Sequence, residues 1–159
     1  MTRLYRICHA EHLENYEGRG ASYLNGGRWN RPGIPVLYFA ESPSVAMLEM
    51  ANYLPSPRLV PPTYRLGIYE IAEDAPAARW LEEDLPAGWN QFPYPQWTQE
   101  KGSQWLLHGK ESLLAVPSAA VPGGLESNVL VSPLRIAKTP VRLIRALEEI
   151  YDWRTFAKK

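Results

Sequence analysis

The sequence predicts an α+β domain, a compact mixture of short strands and a few helices around a central sheet. Apolar runs of strand type and helical segments mix irregularly along the chain, which favours α+β over a doubly wound sheet. Prolines recur every few residues from Pro55 to Pro95, and this excludes long helices there. The 159 residues are enough for one domain with a substantial core. We therefore interpret residues 1–159 as a single domain.

The first half of the chain is predicted to form strand, loop, strand and helix in that order. Residues 3–8 form an apolar run typical of an opening strand, and the polar, glycine-containing residues 10–33 are predicted to be loop and turn. Residues 36–40 (VLYFA) are rich in strand formers. Ser42 suits a helix N-cap, and Pro43 suits the first turn because its missing N–H would be unpaired there anyway. We expect that helix to run from 43 to about 53.

The middle of the chain contains fewer regular elements. Residues 54–62 are proline-rich and predict a linker-like loop, whereas residues 64–71 alternate enough to predict a strand. A short helix is predicted from Pro76 through Leu81. Residues 86–97 form an aromatic loop, which we interpret as core cover, with a pocket wall or a partner contact as alternatives.

The last third is predicted to add two helices and two strands. A helix is expected from about 97 to 107, and buried strands are expected at 113–116 and 128–131. Thr139-Pro140 repeats the arrangement of a capping residue followed by proline. Apolar residues then recur at helical spacing, so the sequence predicts a C-terminal helix over about 140–152.

Charge and composition limit the classes of function. Seventeen basic and seventeen acidic residues give a formal net charge of zero, so the chain lacks the basic excess typical of direct nucleic-acid binding. No apolar run approaches the roughly 20 residues of a membrane helix. The N-terminal residues lack the apolar core of a signal peptide. We expect a cytoplasmic protein without nucleic-acid or membrane partners.

A metal site is not expected. Cys8 is the only cysteine, so it forms no internal disulfide. Cys8, His9 and His12 lie close in sequence, but a structural zinc site usually needs four ligands at recognisable spacing, and the one further histidine is His108. The apolar run around Cys8 also predicts a buried thiol rather than a nucleophile.

Common nucleotide-binding and catalytic motifs are absent. The sequence contains neither G-x-G-x-x-G after a strand nor G-x-x-x-x-G-K-[ST], so a dehydrogenase or a P-loop enzyme is not expected. A G-x-S-x-G elbow and an H-E-x-x-H pair are also missing. What remains is an arginine, a tyrosine and a glutamate on consecutive elements: Arg28, Tyr38 and Glu49.

Six blocks in a fixed order resemble the RES domain, which is named for an arginine, a glutamate and a serine. These blocks are residues 26–30 (GGRWN), 33–38 (GIPVLY), 46–49 (AMLE), 89–93 (WNQFP), 113–119 (LLAVPSA) and 128–133 (NVLVSP). The resemblance covers residues 3 to about 136. One block departs from the family pattern, because Arg135 stands where the family usually has a histidine.

The resemblance implies the toxin of a bacterial toxin–antitoxin pair, with a fold similar to ADP-ribosyltransferases of the diphtheria-toxin kind. Such proteins degrade NAD+, by hydrolysis or phosphorolysis, and cause growth arrest. NAD+ is then a substrate, and no true cofactor is expected. The implied partners are an Xre-type helix-turn-helix antitoxin that blocks the active site, and a second copy in a homodimer. The alternatives are transfer of ADP-ribose to a cellular protein and a non-catalytic partner-binding module.

The candidate binding residues follow from the chemistry of NAD+. A guanidinium fork matches phosphate oxygens, so Arg28 is the first candidate for the diphosphate and Arg6 the second. The nicotinamide ring is cationic and suits an aromatic platform, for which Tyr38 is the best candidate. Trp29 and Tyr53 are candidates for a second wall. The ordinary interpretations are a surface or ion-paired arginine and a core tyrosine.

Glu49 is the candidate catalytic carboxylate. Loss of nicotinamide develops positive charge on the ribose, which a nearby carboxylate stabilises. Glycosidases use a second carboxyl group to protonate the leaving oxygen, whereas cationic nicotinamide leaves without a proton. One carboxylate can therefore suffice. Ser118 is expected to position NAD+ by hydrogen bonding, and a surface helix position is the ordinary interpretation of Glu49.

Overall fold

A seven-stranded sheet forms the centre of the computed structural model, which describes residues 1–54 and 59–156. The strands are β1 Thr2–His9, β2 Leu37–Ala40, β3 Tyr64–Ile71, β4 Ala77–Arg79, β5 Leu113–Pro117, β6 Ser127–Val131 and β7 Arg142–Leu147. Across the sheet their order is β4-β5-β6-β2-β1-β3-β7. The β4–β5 pair is parallel and the other neighbours are antiparallel. The α+β prediction is confirmed.

The described residues form three α-helices: α1 Ala21–Asn25, α2 Pro43–Tyr53 and α3 Gln96–His108. The predicted helices at 43–53 and 97–107 are therefore confirmed. As expected, the Ser42 hydroxyl caps α2 by accepting from the Val45 amide at 3.2 Å. Short 3-10 helices occupy Ala10–His12, Glu82–Asp84, Pro122–Gly124, Ile136–Lys138 and Trp153–Phe156. No helix within the described ranges is long and apolar enough to cross a membrane.

Two predicted helices are wrong, and both segments are edge strands. The helix expected from Pro76 is instead β4, which pairs with β5. The helix expected over 140–152 is instead β7, which pairs with β3, followed by the 3-10 helix Trp153–Phe156. Each segment forms its backbone hydrogen bonds with a neighbouring strand. That strand is distant in the sequence, so the spacing of apolar residues within the segment cannot predict the pairing.

Two predicted loops also differ from the expectation or are only partly described. The polar stretch 10–25, expected to be a loop, contains the 3-10 helix Ala10–His12 and the short helix α1. The proline-rich connection expected at 54–62 falls partly on residues 55–58, which lie outside the described residues.

The sheet has a core on each face because successive strand side chains point to opposite sides. On one face lie Leu4, Phe39, Tyr69, Ile71 and Val129. On the other face, Val45 and Ala46 of α2 pack on Ile7 and Ala40. On the same face, Trp105 and Leu106 of α3 pack on Leu114, Val116 and Leu130. Both long helices therefore cover the same face, and the candidate site lies there.

Candidate active site

A tight turn whose shape requires glycine carries Arg28. Gly26 has a φ of +80°, a backbone conformation that favours glycine. The Gly27 amide donates to the Asn30 carbonyl at 3.0 Å. A Cβ on Gly27 would lie 2.7 Å from Asn30 Oδ1 and 2.9 Å from the Tyr38 hydroxyl. Glycine at this position therefore lets the turn fold directly against Tyr38.

Helix α3 holds this turn in place through three residues. Gln99 Nε2 donates to the Gly27 carbonyl at 3.0 Å. Ser103 Oγ accepts from the Arg31 amide at 2.9 Å. A Cβ on Gly102 would lie 1.9 Å from the Trp29 carbonyl oxygen, so the helix and turn backbones are in direct contact. The helix therefore positions Arg28, although none of its own residues is a predicted site residue.

The Tyr38 hydroxyl is committed to the same turn. It donates to Asn30 Oδ1 at 2.7 Å and accepts from the Trp29 amide at 3.1 Å. Asn30 is fully buried, and its Nδ2 donates to the Ser22 carbonyl at 2.8 Å. Burial strongly raises the pKa of Tyr38, so this phenol stays neutral. What Tyr38 can offer a ligand is its half-buried ring, not its hydroxyl.

Arg28 is half-buried and holds the loop before α3. Its Nη1 donates to the carbonyl oxygens of Trp89 and Gln91, each at 2.8 Å. Its guanidinium carbon lies 5.1 Å from the centroid of the Tyr94 ring. Burial lowers the pKa of Arg28, and the nearby Tyr94 and Glu49 oppose that shift. In the part of the chain that the structure describes, Nε and Nη2 have no hydrogen-bond partner.

Two donors orient Glu49 through a single oxygen. Its Oε1 accepts from Ser118 Oγ at 2.7 Å and from Asn128 Nδ2 at 2.7 Å. Oε2 accepts from no donor within residues 1–54 and 59–156. Hydrogen bonds to an ionised acceptor are short and strong. The carboxylate is therefore fixed by one oxygen and offers the other to a ligand.

Ser118 positions this carboxylate, which corrects the expectation that it binds NAD+ directly. The residue is fully buried at the end of β5. Its hydroxyl proton is donated to Glu49, and its oxygen accepts from the Ala120 amide at 3.1 Å. A serine hydroxyl has one proton to donate, so none remains for a substrate.

Trp29 also has a different role from the predicted one. It is 2% exposed, and its ring packs against Trp80 and Trp89 within the core beneath α3. The ring is therefore not available as a wall of the cleft. Its contribution is the backbone amide that binds the Tyr38 hydroxyl.

Arg6 lies on the other face of the sheet, which corrects its assignment as a second phosphate ligand. Its neighbour Tyr5 pairs with Ala40 and packs on the face that carries α2, so Arg6 points away from that face. Its guanidinium stacks on Phe39 and Tyr69, and its Nη2 donates to backbone carbonyls at the end of the 3-10 helix Ala10–His12. Its contacts are those of a structural residue.

Tyr53 and Tyr94 lie near Arg28 and Glu49. Their hydroxyl oxygens are 2.7 Å apart, which joins the end of α2 to the loop before α3. The Tyr53 side chain is largely exposed. Partial desolvation at its hydroxyl end, and then the bond with Tyr94, raise the pKa of Tyr53. The role of Tyr53 as a second wall stays a prediction.

The sequence did not point to Asn128 or Tyr94. Asn128 opens a run that is otherwise apolar, and a polar side chain at the start of a buried strand was a usable signal. Tyr94 belongs to the aromatic loop, which was interpreted as core cover. That interpretation holds for Trp89, which is buried, but not for the exposed Phe92.

Arg135, at the position of the family histidine, closes the carboxyl end of α3. Its three guanidinium nitrogens donate to the carbonyls of Glu111, Leu106 and Trp105 at 2.8–3.0 Å. Its guanidinium carbon lies 4.7 Å from the centroid of the Trp105 ring. A cation at a helix carboxyl end is stabilising, and its contacts are remote from those of Arg28 and Glu49.

The described part of the chain contains no metal-binding cluster at the candidate site or elsewhere. Within the described ranges, no three His, Cys, Asp or Glu residues come together as potential metal ligands. A cavity of about 300 Å³ lies at the β4 edge beside Arg79 and Glu82, and its lining includes neither Arg28 nor Glu49.

Comparison with known proteins decides the family. The model of the RES domain matches residues 3–153. This chain belongs to the RES domain family. The predicted resemblance is therefore confirmed, and it extends beyond the six sequence blocks into the C-terminal segment.

Two relatives support this family, and one solved structure has a similar fold. The "Prs ADP-ribosylating toxin" of Sphingobium sp. (strain YBL2) is 31% identical over 147 residues, which cover 91% of this chain and 89% of the relative. A "Toxin Res" of Yersinia enterocolitica is 35% identical over 131 residues, covering 82% and 83%. The fold is similar to a chain of the M. tuberculosis MbcT–MbcA toxin–antitoxin complex, with a TM-score of 0.69, 21% identity, and coverage of 92% and 82%.

Proposed function

We propose that this RES domain protein is the toxin of a toxin–antitoxin pair and that it cleaves the nicotinamide–ribose bond of NAD+. The observation that carries the proposal is the arrangement of Glu49, whose Oε1 is held by two donors while Oε2 is open. Glu49 is near enough to Arg28 to oppose the lowering of the guanidinium pKa that burial causes. A fixed carboxylate beside a half-buried cation suits a substrate with a cationic leaving group and a diphosphate.

Arg28 binds the diphosphate in this proposal. Nη1 is used by the loop carbonyls, so Nε and Nη2 form the edge that meets phosphate oxygens. The lowered pKa of Arg28 indicates a partly desolvated cation, whose attraction for an anion is stronger than that of a surface arginine. The turn and α3 hold the guanidinium in place before the substrate arrives.

Tyr38 and Tyr53 flank the nicotinamide. A cationic ring is stabilised over an aromatic face, and the hydroxyls of both tyrosines already have partners in the protein. The rings are therefore the surfaces that they present. As the C–N bond breaks, nicotinamide leaves with the bonding electrons as a neutral molecule and this attraction weakens, which favours release.

Glu49 Oε2 stabilises the positive charge that develops on the ribose when that bond breaks. The two donors on Oε1 keep the carboxylate from rotating, so it needs no reorganisation during the reaction. Water or inorganic phosphate then attacks the anomeric carbon and loses a proton to solvent. No residue is required to protonate the leaving group.

Release of nicotinamide tests the proposal directly. Purified protein, freed of any inhibitory partner, is incubated with NAD+ with and without phosphate, and free nicotinamide and the ribosyl product are measured. Glu49→Gln keeps the size of the side chain but removes its charge, and it should abolish release. Glu83→Gln, at an exposed glutamate in the 3-10 helix after β4, is the matched control. Release by the Glu49 variant at the wild-type rate would contradict the proposal.

The second candidate function is transfer of ADP-ribose to a cellular protein. It is favoured by one observation, the name of the Sphingobium relative, "Prs ADP-ribosylating toxin". Transfer and hydrolysis share every step up to loss of nicotinamide and differ in what attacks the ribose. Incubating a cell lysate with NAD+ labelled in the adenylate half distinguishes them, because only a transferase leaves label on protein.

The proposed partner is an Xre-type antitoxin that occupies the cleft in the cytoplasm, and the toxin itself is proposed to form a homodimer. The similar fold in a toxin–antitoxin complex supports the idea of an antitoxin. Expression without antitoxin should arrest growth and lower cellular NAD+, and Glu49→Gln should relieve both effects. Normal growth with the wild-type protein would instead favour a non-catalytic binding module.

A further inference from the structure

We propose that Phe92 and Tyr94 form a stacking shelf for the adenine base, so that this loop selects the intact dinucleotide over its nicotinamide half. The inference rests on the proposed cleavage of NAD+ and names the part of the protein that recognises the other end of the substrate. The shelf is the pair of rings of Phe92 and Tyr94, whose centroids are 5.2 Å apart at an angle of 90°.

The exposure of Phe92 is the first reason. This side chain is 76% exposed, although a phenylalanine ring gains most by burial. It is also not on a loose segment. Trp89 is buried in the core, and the carbonyls of Trp89 and Gln91 are both bonded to Arg28 Nη1. The loop therefore holds the Phe92 ring in solvent, because buried Trp89 and the hydrogen bonds from Arg28 fix the loop itself.

The position of the shelf relative to Arg28 is the second reason. The guanidinium carbon of Arg28 lies 5.1 Å from the Tyr94 ring centroid, and the Phe92 ring follows after a step of 5.2 Å. If Arg28 takes the diphosphate, the Tyr94 ring lies about one sugar length from it, and the Phe92 ring is in contact with Tyr94. Glu49 and Tyr38 are proposed to bind the reacting half of the substrate, so the two rings are free for the other half.

The chemistry of the shelf indicates a base rather than a further charged group. Tyr94 uses its hydroxyl on Tyr53, so the two rings present apolar faces and edges. Aromatic side chains stack on the π-face of any base, and they do so without hydrogen bonds to the base edges. The shelf therefore favours a dinucleotide over a mononucleotide. The preference comes from stacking of the adenine base, which lies away from the bond that breaks.

The test compares two substrates in the same cleavage assay. NAD+ carries adenosine beyond its diphosphate, whereas nicotinamide mononucleotide has the same reacting bond and lacks the adenylate half. Phe92→Ala should lower kcat/KM for NAD+ by about 5- to 30-fold, the loss expected for a base that stacks on one partly exposed ring. The value for the mononucleotide should stay within about twofold. Phe92→Tyr keeps an aromatic ring and should retain the wild-type preference for NAD+.

The matched control is Leu134→Ala. Leu134 is also an exposed apolar side chain, and it lies next to Arg135 at the opposite end of α3. It should leave both substrates unaffected. Thermal unfolding should be unchanged for both variants because both side chains are exposed.

Three results would overturn the inference. An equal loss for both substrates would mean that Phe92 supports the loop rather than a base, and an unchanged value for both would mean that no base reaches it. Weaker binding of a protein partner with unchanged NAD+ kinetics would identify the shelf as an interaction surface instead.

Binding of ADP-ribose, measured by calorimetry, separates this inference from the proposed function. Binding requires no bond cleavage, so it is informative even if NAD+ is not consumed. The affinity of Phe92→Ala for ADP-ribose should be about 5- to 30-fold lower than that of the wild type, which is the loss expected for one stacking contact. This result supports the adenine shelf whether or not cleavage is observed. Equal affinity of the variant and the wild type would overturn it.

Discussion

Replacing Asn128 with leucine removes one of the two hydrogen bonds that orient Glu49. Asn128 Nδ2 donates to Glu49 Oε1 at 2.7 Å, and leucine has a similar size but no donor. Among the described residues, Ser118 then remains as the one donor on that oxygen. The Glu49 carboxylate can rotate about a single remaining hydrogen bond. We therefore expect it to leave the orientation in which Oε2 meets the ribose.

The size of the effect follows from the kind of bond that is lost. A hydrogen bond to a charged group contributes about 1.5–3 kcal/mol, and each 1.36 kcal/mol of lost transition-state stabilisation lowers the rate about tenfold. The remaining Ser118 bond should retain part of the orientation. We therefore expect kcat to fall about tenfold in Asn128→Leu, and at least about 100-fold when Ser118→Ala is added. KM for NAD+ should change less than about twofold, because Asn128 is proposed to act through Glu49.

Stability should change much less than turnover. Glu49 is only partly buried, so solvent can replace a lost donor and the free energy of unfolding should fall by about 1 kcal/mol. In a domain of this size that corresponds to roughly 2–4 °C in melting temperature. Asn15→Leu removes a hydrogen bond from the Glu17 amide in a loop remote from the cleft. It is the control for loss of stability without loss of activity.

Nicotinamide release, measured over a range of NAD+ concentrations, separates kcat from KM. A folded Asn128→Leu protein with kcat within about twofold of the wild type would refute the two-donor account of Glu49. A loss confined to KM would also refute it, because Asn128 would then act on the substrate. Thermal unfolding of each variant confirms that equal amounts of folded protein are compared.

Two further substitutions and one alkylation experiment test the supports of the site and of the core. Gly102→Ala places a methyl group against the Trp29 carbonyl. The free energy of unfolding should fall by about 2–3 kcal/mol, although alanine has the better helix propensity. An unchanged melting temperature would contradict this contact. Arg135→Met removes the donors at the end of α3 and should cost about 2–3 kcal/mol, while activity per folded molecule is retained; lost activity in a stable variant would indicate a role in the reaction. Burial raises the pKa of the Cys8 thiol, so alkylation at pH 8 should be slow in the native protein and fast in urea; rapid native alkylation would show an accessible thiolate.

The locations of most central elements were predictable because their patterns are local. The runs at 36–40, 113–116 and 128–131 are apolar and rich in strand formers, and they are β2, β5 and β6. Ser42 and Pro43 define the start of α2 by capping chemistry that involves only the first turn. The edge strands β4 and β7 were not predicted, because each depends on a neighbour that is distant in the sequence.

The sequence by itself determined which residues are candidates for the site, and the tertiary structure decided what each one contacts. Arg28, Tyr38 and Glu49 lie on three consecutive elements that fold onto one face of the sheet. Ser118 and Asn128 join them only because β5 and β6 pair antiparallel, which puts the end of β5 and the start of β6 beside α2. Arg6 lies on the opposite face because strand side chains alternate. Residue chemistry is local, whereas the partner that satisfies each polar group is chosen by packing across the whole chain.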